Sequence, residues 1–325
     1  MKVIKLNNGV EMPQVGLGTF LIPDKDLINT IKSAYNLGYR QFDTAWKYKN
    51  ETTINKALET NGIKREDIFI TTKVSASALF YGTYHYGRSS LFNIRNFKSI
   101  DRVIEESFEN LGTEYIDLFL VHYPYPNFIK LYQALEKFYK QGRIRAIGVS
   151  NFLQPHIKTL LDYCDVMPAV NQIEISPLNT QKALINFCQE QNIAVEAMST
   201  FSHFRSVEPR TEITESEIIR PIAKKYSKSI VQIVLRWLLQ QNIILIPKTW
   251  YLPHLKENLS IFDFQLTEEE MKIIDSMDQG RFLNYNPCGE QRGVPKKYRN
   301  CEAFVQWNKE NPQRSFWEII TSKCR

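Results

Sequence analysis

The residues with chemistry to offer sit where apolar runs end. In "RQFDTAWKY" Asp43 stands five places before Tyr48, "IFITTKV" closes on Lys73, and "IDLFLVHY" closes on His122 and Tyr123. A phenol has an ordinary pKa of about 10, too high to exchange a proton readily near neutrality. A neighbouring ammonium stabilises the phenolate and lowers that value, and a carboxylate beside the ammonium keeps it in place. An imidazole at the same edge can hydrogen-bond the oxygen of a bound carbonyl and orient it. Tyr48, Lys73, Asp43 and His122 together read as a proton donor for a nascent alkoxide, with Asp43 tuning Lys73 and Lys73 tuning Tyr48. Each also has a plainer use: Asp43 as a helix cap, Lys73 as a side chain reaching to water, His122 as a hydrogen-bonded core residue. Their recurrence at the same end of successive runs favours the chemical reading.

The elements that must position these residues follow from the spacing. Residues 2–15 read as two short strands about the turn signal "NNG". Eight apolar runs come next, at 15–19, 40–45, 68–74, 116–123, 144–150, 169–175, 194–199 and 243–249. Between them, segments such as "DLINTIKSAYNLG" and "SIDRVIEESFENLG" repeat apolar residues every three or four places and stop on glycine, as helices do. Eight such runs with helices between, and no linker, predict an α/β chain folded as one (β/α)8 TIM barrel over about 15–278. An N-terminal β-hairpin precedes it and a long C-terminal tail, 279–325, follows within the same single domain. A two-domain doubly wound fold is the alternative, but "VGLGTF" lacks the third glycine of a GxGxxG turn and opens no helix. Barrel enzymes carry their sites at the C-terminal ends of the strands. There lie Asp43, Lys73, His122, Ser150, Asn151, Gln172, Ser199 and Lys248.

Composition excludes several classes. The 325 residues are 43% hydrophobic and 23% charged, and 41 Lys and Arg against 35 Asp and Glu leave a formal charge of +6. The only basic tract is "PKKYR" at 295–299, so nucleic acid is not indicated. Five cysteines without a CxxC pair, one of them odd, fit a reducing compartment, and "MKVIKLNNGVEM" is too short and polar for a signal peptide. The expectation is cytoplasmic. The most apolar window, 230–247, is broken by Gln232, Arg236, Gln240, Gln241 and Asn242 and does not read as a membrane span. His85 has no second ligand at metal spacing, so no metal is expected.

At Asp43, Tyr48, Lys73 and His122 the chain resembles the aldo-keto reductase family, from the hairpin to about residue 278. The resemblance rests on "GLGT", "FDTAWKYKNE", "ITTKV", "DLFLVHYP", "GRIRAIGVSNF", "VNQIEISPL", "VLRWLLQ" and "IPKTWYLPHLKEN", in that order. It implies the barrel reached above and NADP(H)-dependent reduction of an aldehyde or ketone to an alcohol. Tyr48 would be the general acid, with Asp43, Lys73 and His122 completing a tetrad. Ser150, Asn151 and Gln172 would hold the nicotinamide carboxamide. Lys248, Thr249, Glu257 and Asn258 would take the adenosine end, Lys248 on the 2′-phosphate, where an ammonium makes a charge-assisted hydrogen bond. Relatives that reduce an activated carbon–carbon double bond carry a glutamate at the position of His122, so the histidine favours carbonyls.

Three departures stand out. Met198 replaces the tyrosine that usually stacks on the nicotinamide, and "TFSH" replaces a "PLG"-like stretch; a thioether can lie against the ring without π-stacking. His254 stands where many relatives place an arginine against the adenine and 2′-phosphate, and is a weaker substitute. The loop 75–98 is long for the family, and its Phe80, Tyr81, Tyr84, Tyr86 and Phe92 read either as a pocket wall or as a loop packed on its own base. Phe20, Trp46 and Tyr123 flank the tetrad, and the tail adds Phe282, Tyr285, Trp307, Phe316 and Trp317. Such walls favour a small-molecule carbonyl that is aromatic or bulky and apolar. Lys296, Lys297 and Arg299 read as a solvated charge run before they read as a carboxylate site. The expected state is a monomer or weak dimer. A cofactor-binding regulatory or scaffold protein with relaxed chemistry is the second functional reading; the altered "AMSTFSH" loop motivates it and the intact tetrad argues against it.

Overall fold

The hairpin forms as expected in the computed structural model, which describes residues 2–75, 99–201 and 207–310. Strand β1 (Val3–Lys5) pairs antiparallel with β2 (Glu11–Pro13), placing Ile4 opposite Met12. Eight parallel strands follow: β3 (Leu17–Gly18), β4 (Gln41–Asp43), β5 (Phe69–Val74), β6 (Ile116–Val121), β7 (Ile144–Ser150), β8 (Val170–Glu174), β9 (Ala194–Met198) and β10 (Ile244–Leu245). They pair in chain order from β3 to β10. Val15 bridges Leu245 in parallel, and the Gly16 and Leu245 N–H groups donate to Leu245 O and Gln14 O at 2.7 and 2.9 Å. The sheet thereby curls back on itself as a barrel, and each strand falls inside one of the eight apolar runs.

The helices between strands are α1 (Asp24–Leu37), α2 (Glu51–Asn61), α3 (Ile100–Leu111), α4 (Phe128–Lys140), α5 (Gln154–Leu161) and α6 (Lys182–Glu190). Between β9 and β10 come α7 (Val207–Thr214), α8 (Arg220–Tyr226) and α9 (Ile230–Gln240), and after β10 come α10 (Leu252–Leu259), α11 (Glu268–Asp275) and α12 (Glu302–Glu310). The end signals act as expected: Ser99 caps α3 by accepting from Arg102 N, and Gly112 ends it at φ 57°, where a Cβ would be strained. Strands β5 and β6 are buried along their whole length, as parallel strands between core and helices must be.

One end of the barrel is plugged. Ile4, Leu6 and Met12 of the hairpin pack on Phe69, Leu118, Val170 and Ile244, all near strand starts. Asn7 and Asn8 donate to Pro168 O and Arg145 O at 2.9 and 2.8 Å, which fixes the plug to β7 and to the approach of β8. The C-terminal ends of the strands are left as the end where polar residues can face a ligand. Among the described residues no helix is long and apolar enough to cross a membrane. The long loop read either as a pocket wall or as packed on its own base lies, from residue 76 to 98, outside the described residues, as do Ser202, His203, Phe316 and Trp317.

Candidate active site

Asp43 ends β4, and a single 3-10 turn, Trp46–Tyr48, then carries the phenol back over the rim. Lys73 points inward from β5 with no exposed surface, and its Nζ donates to Asp43 Oδ1 at 2.6 Å, Asp43 Oδ2 at 2.7 Å and Thr44 O at 2.7 Å. Three acceptors use all three N–H groups of the ammonium. The same Nζ lies 5.1 Å from the centre of the Tyr48 ring. His122, just past β6, meets Tyr48 edge-on with ring centres 5.8 Å apart. The four residues expected to act together, drawn from three strand ends, are brought together.

Their charges are set by burial. Burial pushes the Asp43 carboxyl up, against the pull of Lys73 and Gln172. Burial, with Lys73 and Lys47 nearby, holds the His122 imidazole well below its ordinary value and therefore neutral. The Tyr48 phenol corrects the sequence reading. Lys73 was expected to lower it, whereas burial and the negative charges of Asp43 and Glu196 hold it well above its ordinary value. The physical reason is burial first, with the Asp43 carboxylate paired to Lys73 offsetting part of the ammonium's field at the ring.

Beside the tetrad, Ser150 at the end of β7, Asn151 just past it and Gln172 within β8 are all buried. Asn151 adopts φ 64° and donates its side-chain N–H to His122 O at 2.9 Å and to Ser150 Oγ at 3.1 Å. Gln172 donates from Nε2 to Asp43 Oδ2 at 2.9 Å and to Glu196 Oε2 at 2.5 Å. Glu196, on β9, was not singled out from the sequence, although an acid inside "AVEAMS" was the available signal. Met198 is half-buried two places further on.

Past β10, Lys248 is half-buried with its Nζ 4.8 Å from the Trp250 ring centre, and Thr249 accepts from Tyr251 N at 3.1 Å. Burial lowers the Lys248 ammonium, and so does Arg210 of α7, a second cation that sequence spacing did not reveal. His254 and Glu257 lie on α10 with Asn258, which is buried; His254 is exposed, its ring edge-on to Tyr251 at 4.9 Å.

The aromatic walls assemble in part. Phe20 leans on Tyr48 at 4.6 Å, and Tyr123 stacks between His122 at 4.4 Å and Tyr125 at 5.0 Å. Tyr285 of the tail meets Tyr123 edge-on at 5.1 Å. Trp46, only 4% exposed, donates its indole N–H to Glu106 of α3 and so braces the Tyr48 turn. Trp307 lies against Gly289. Lys297 pairs with Asp162 at 2.9 Å, in keeping with the solvated reading of "PKKYR".

A carboxylate–ammonium pair under a phenol and beside a neutral imidazole, at the open rim of such a barrel, is a distinctive arrangement. A model of the Aldo/keto reductase family matches residues 14–279. The chain belongs to the aldo/keto reductase family. Uncharacterized oxidoreductase YtbE of Bacillus subtilis is 39% identical over 288 residues, covering 87% of this chain and 95% of its own length. Glyoxal reductase of the same organism is 37% identical, with 87% and 95% covered. Among solved structures, a Gox0644 mutant in complex with NADPH matches with a TM-score of 0.76 at 34% identity, covering 88% of this chain and 97% of that one.

The cofactor of the aldo/keto reductase family is NADP(H), and the residues present fit it. Gln172 gives its nitrogen to two carboxyls, which leaves its carbonyl oxygen as an acceptor for a carboxamide N–H. At the other end, Lys248 and Arg210 bring two positive charges together, and among the described residues no carboxylate forms an ion pair with Lys248; a phosphate would relieve that repulsion.

Proposed function

We propose that this aldo/keto reductase reduces an aldehyde or ketone to an alcohol with NADPH, Tyr48 giving the proton. The observation that carries the reading is the buried Lys73–Asp43 pair set under Tyr48 and beside a neutral His122. When bound, the dihydronicotinamide supplies a hydride to the carbonyl carbon. The carbonyl oxygen takes the Tyr48 hydroxyl proton as the hydride arrives, giving the alcohol. A phenol held above its ordinary value is fully protonated at neutral pH, which is the form reduction requires. The Lys73 charge, fixed 5.1 Å from the ring, stabilises the phenolate left behind. His122 Nδ1 is buried and has no hydrogen-bond partner among the described residues. An unpaired acceptor costs less than an unpaired donor, which puts the imidazole N–H on Nε2, free to donate to the carbonyl oxygen.

Ser150, Asn151 and Gln172 hold the carboxamide, and Met198 lies against the ring. Lys248, Thr249, His254, Glu257 and Asn258 take the adenosine end. Phe20, Tyr123, Tyr125 and Tyr285 supply apolar, flat surface above Tyr48, which suits aromatic or bulky carbonyls. Some relatives are named for glyoxal and methylglyoxal, so the substrate panel should hold small dicarbonyls beside benzaldehydes. The test is Tyr48→Phe. NADPH affinity should stay within about twofold while kcat on the best carbonyl falls roughly 10²–10⁴-fold, the usual worth of general acid catalysis. A variant that keeps more than half of the wild-type kcat removes Tyr48 from the role.

A further inference from the structure

Glu196 is a carboxyl buried inside the barrel that the proposed mechanism does not use. Its side chain has no exposed surface, and both oxygens are engaged: Oε1 with Gln41 Nε2 at 2.6 Å, Oε2 with Gln172 Nε2 at 2.5 Å. A buried acid costs several kcal/mol unless its partners are well placed, so an acid here asks for a reason. Its position supplies one. Gln172 has an amide whose two ends differ, and only one orientation leaves an acceptor for a carboxamide N–H.

We propose that Glu196 is a positioning residue that fixes the amide polarity of Gln172, holding its N–H groups inward so that its carbonyl oxygen faces the nicotinamide carboxamide. The inference rests on Gln172 being a carboxamide contact, as read above. Turned end for end, the amide would set its oxygen against Asp43 Oδ2 at 2.9 Å as well as against Glu196, oxygen to oxygen at both contacts. Two carboxyls on different strands, Asp43 on β4 and Glu196 on β9, thus grip one nitrogen. The device works in both protonation states of Glu196. Burial and the neighbouring Asp43 push its carboxyl up to about 8, which brings its proton within reach of neutral pH. Among the described residues Gln41 Oε1 is buried without a partner, and turning that amide presents an acceptor to a proton on Oε1. Oε2 remains an acceptor for Gln172 throughout.

The test compares Kd for NADPH and for its 3-acetylpyridine analogue, which lacks the carboxamide N–H, by quenching of protein fluorescence. Wild type should bind the analogue roughly tenfold more weakly, the fold-change of one lost neutral hydrogen bond. Glu196→Met, which removes one of the two carboxyls that hold the Gln172 nitrogen, should bring that ratio below about threefold. Glu196→Gln, whose amide oxygen can still accept from Gln172, should restore it. A purely structural role would weaken both ligands alike, so an unchanged ratio in a folded Glu196→Met protein overturns the proposal. If that variant does not fold, the Gln172 side-chain amide protons of the wild-type, cofactor-free chain decide by ¹⁵N-resolved exchange. Slow exchange is expected, and exchange at the solvent rate overturns the pairing. Protected amide protons together with equal affinity for the two ligands would instead remove the carboxamide reading and leave the Glu196–Gln172 pairing standing.

Discussion

At the scale of single residues, the site separates fixing charge from presenting it. Lys73 is fully buried and saturated by Asp43 and Thr44, so its charge is held still instead of being offered to a ligand. Lys248 is the opposite case: half-buried, close enough to Arg210 for the two cations to repel, and set over Trp250. A hydrogen bond to a charged group is worth roughly 1.5–3 kcal/mol. Lys248→Met should therefore weaken NADPH binding by about ten- to hundredfold and shift NADH, which has no 2′-phosphate, by less than about threefold. Kd values for both nucleotides, measured in one buffer, check this. Equal losses would mean that Lys248 acts on something other than the 2′-phosphate. His254→Arg should move the NADPH-to-NADH preference the other way, since a guanidinium can grip the phosphate with two N–H groups.

At the scale of elements, the strand ends do more than display catalytic groups. Glu174, at the end of β8, accepts the backbone N–H groups of Leu283 and Asn284, the latter at 2.9 Å, and so ties the returning tail to the rim. Tyr285 follows directly and meets Tyr123. Burial pushes the Glu174 carboxyl up from 4.5 to about 7, despite those hydrogen bonds. A carboxyl whose folded-state value is raised contributes stability below its unfolded value and loses it as pH rises through the folded value. Stability should therefore fall between about pH 4.5 and 7 by roughly 3 kcal/mol from this residue, at about 1.4 kcal/mol per pKa unit. Glu174→Gln should remove that part of the slope. Urea unfolding at pH 5 and pH 8 for both proteins measures it, and an identical slope in the variant would mean that Glu174 is not the group titrating. Elsewhere in the sheet the packing is tight enough to dictate residue type: a Cβ at Gly148 of β7 would stand 2.4 Å from Val170 O.

At the scale of the whole molecule, stability and chemistry occupy opposite ends of one barrel. The hairpin plug buries Met12 completely against strand starts, far along the strands from Asp43, Lys73 and His122. Truncating a buried methionine to alanine typically costs about 2–5 kcal/mol. Met12→Ala should lower the urea midpoint accordingly while KM for NADPH and for the carbonyl stays within about twofold. A changed KM with an unchanged midpoint would show that the plug and the rim are not independent. The tail reverses this division, because it comes back over the rim and lends Tyr285 to the aromatic wall.

The sequence by itself determined the barrel and placed Asp43, Lys73 and His122 at one end of it, because both are written in local pattern. Alternating strand and helix periods fix the (β/α)8 order, and the break from apolar to polar marks the C-terminal end of each strand, where Asp43, Lys73 and His122 fall. Tertiary structure alone decided how those charges balance. Lys73 meets Asp43 across 30 residues and Gln172 meets it across 129, and no spacing rule gives the field that such distant partners create at the Tyr48 phenol. The same holds for Glu196, 155 residues from Gln41. In the sequence it is one acid in an apolar run, and only closure of the sheet sets it among the amides and the carboxylate that give it a use.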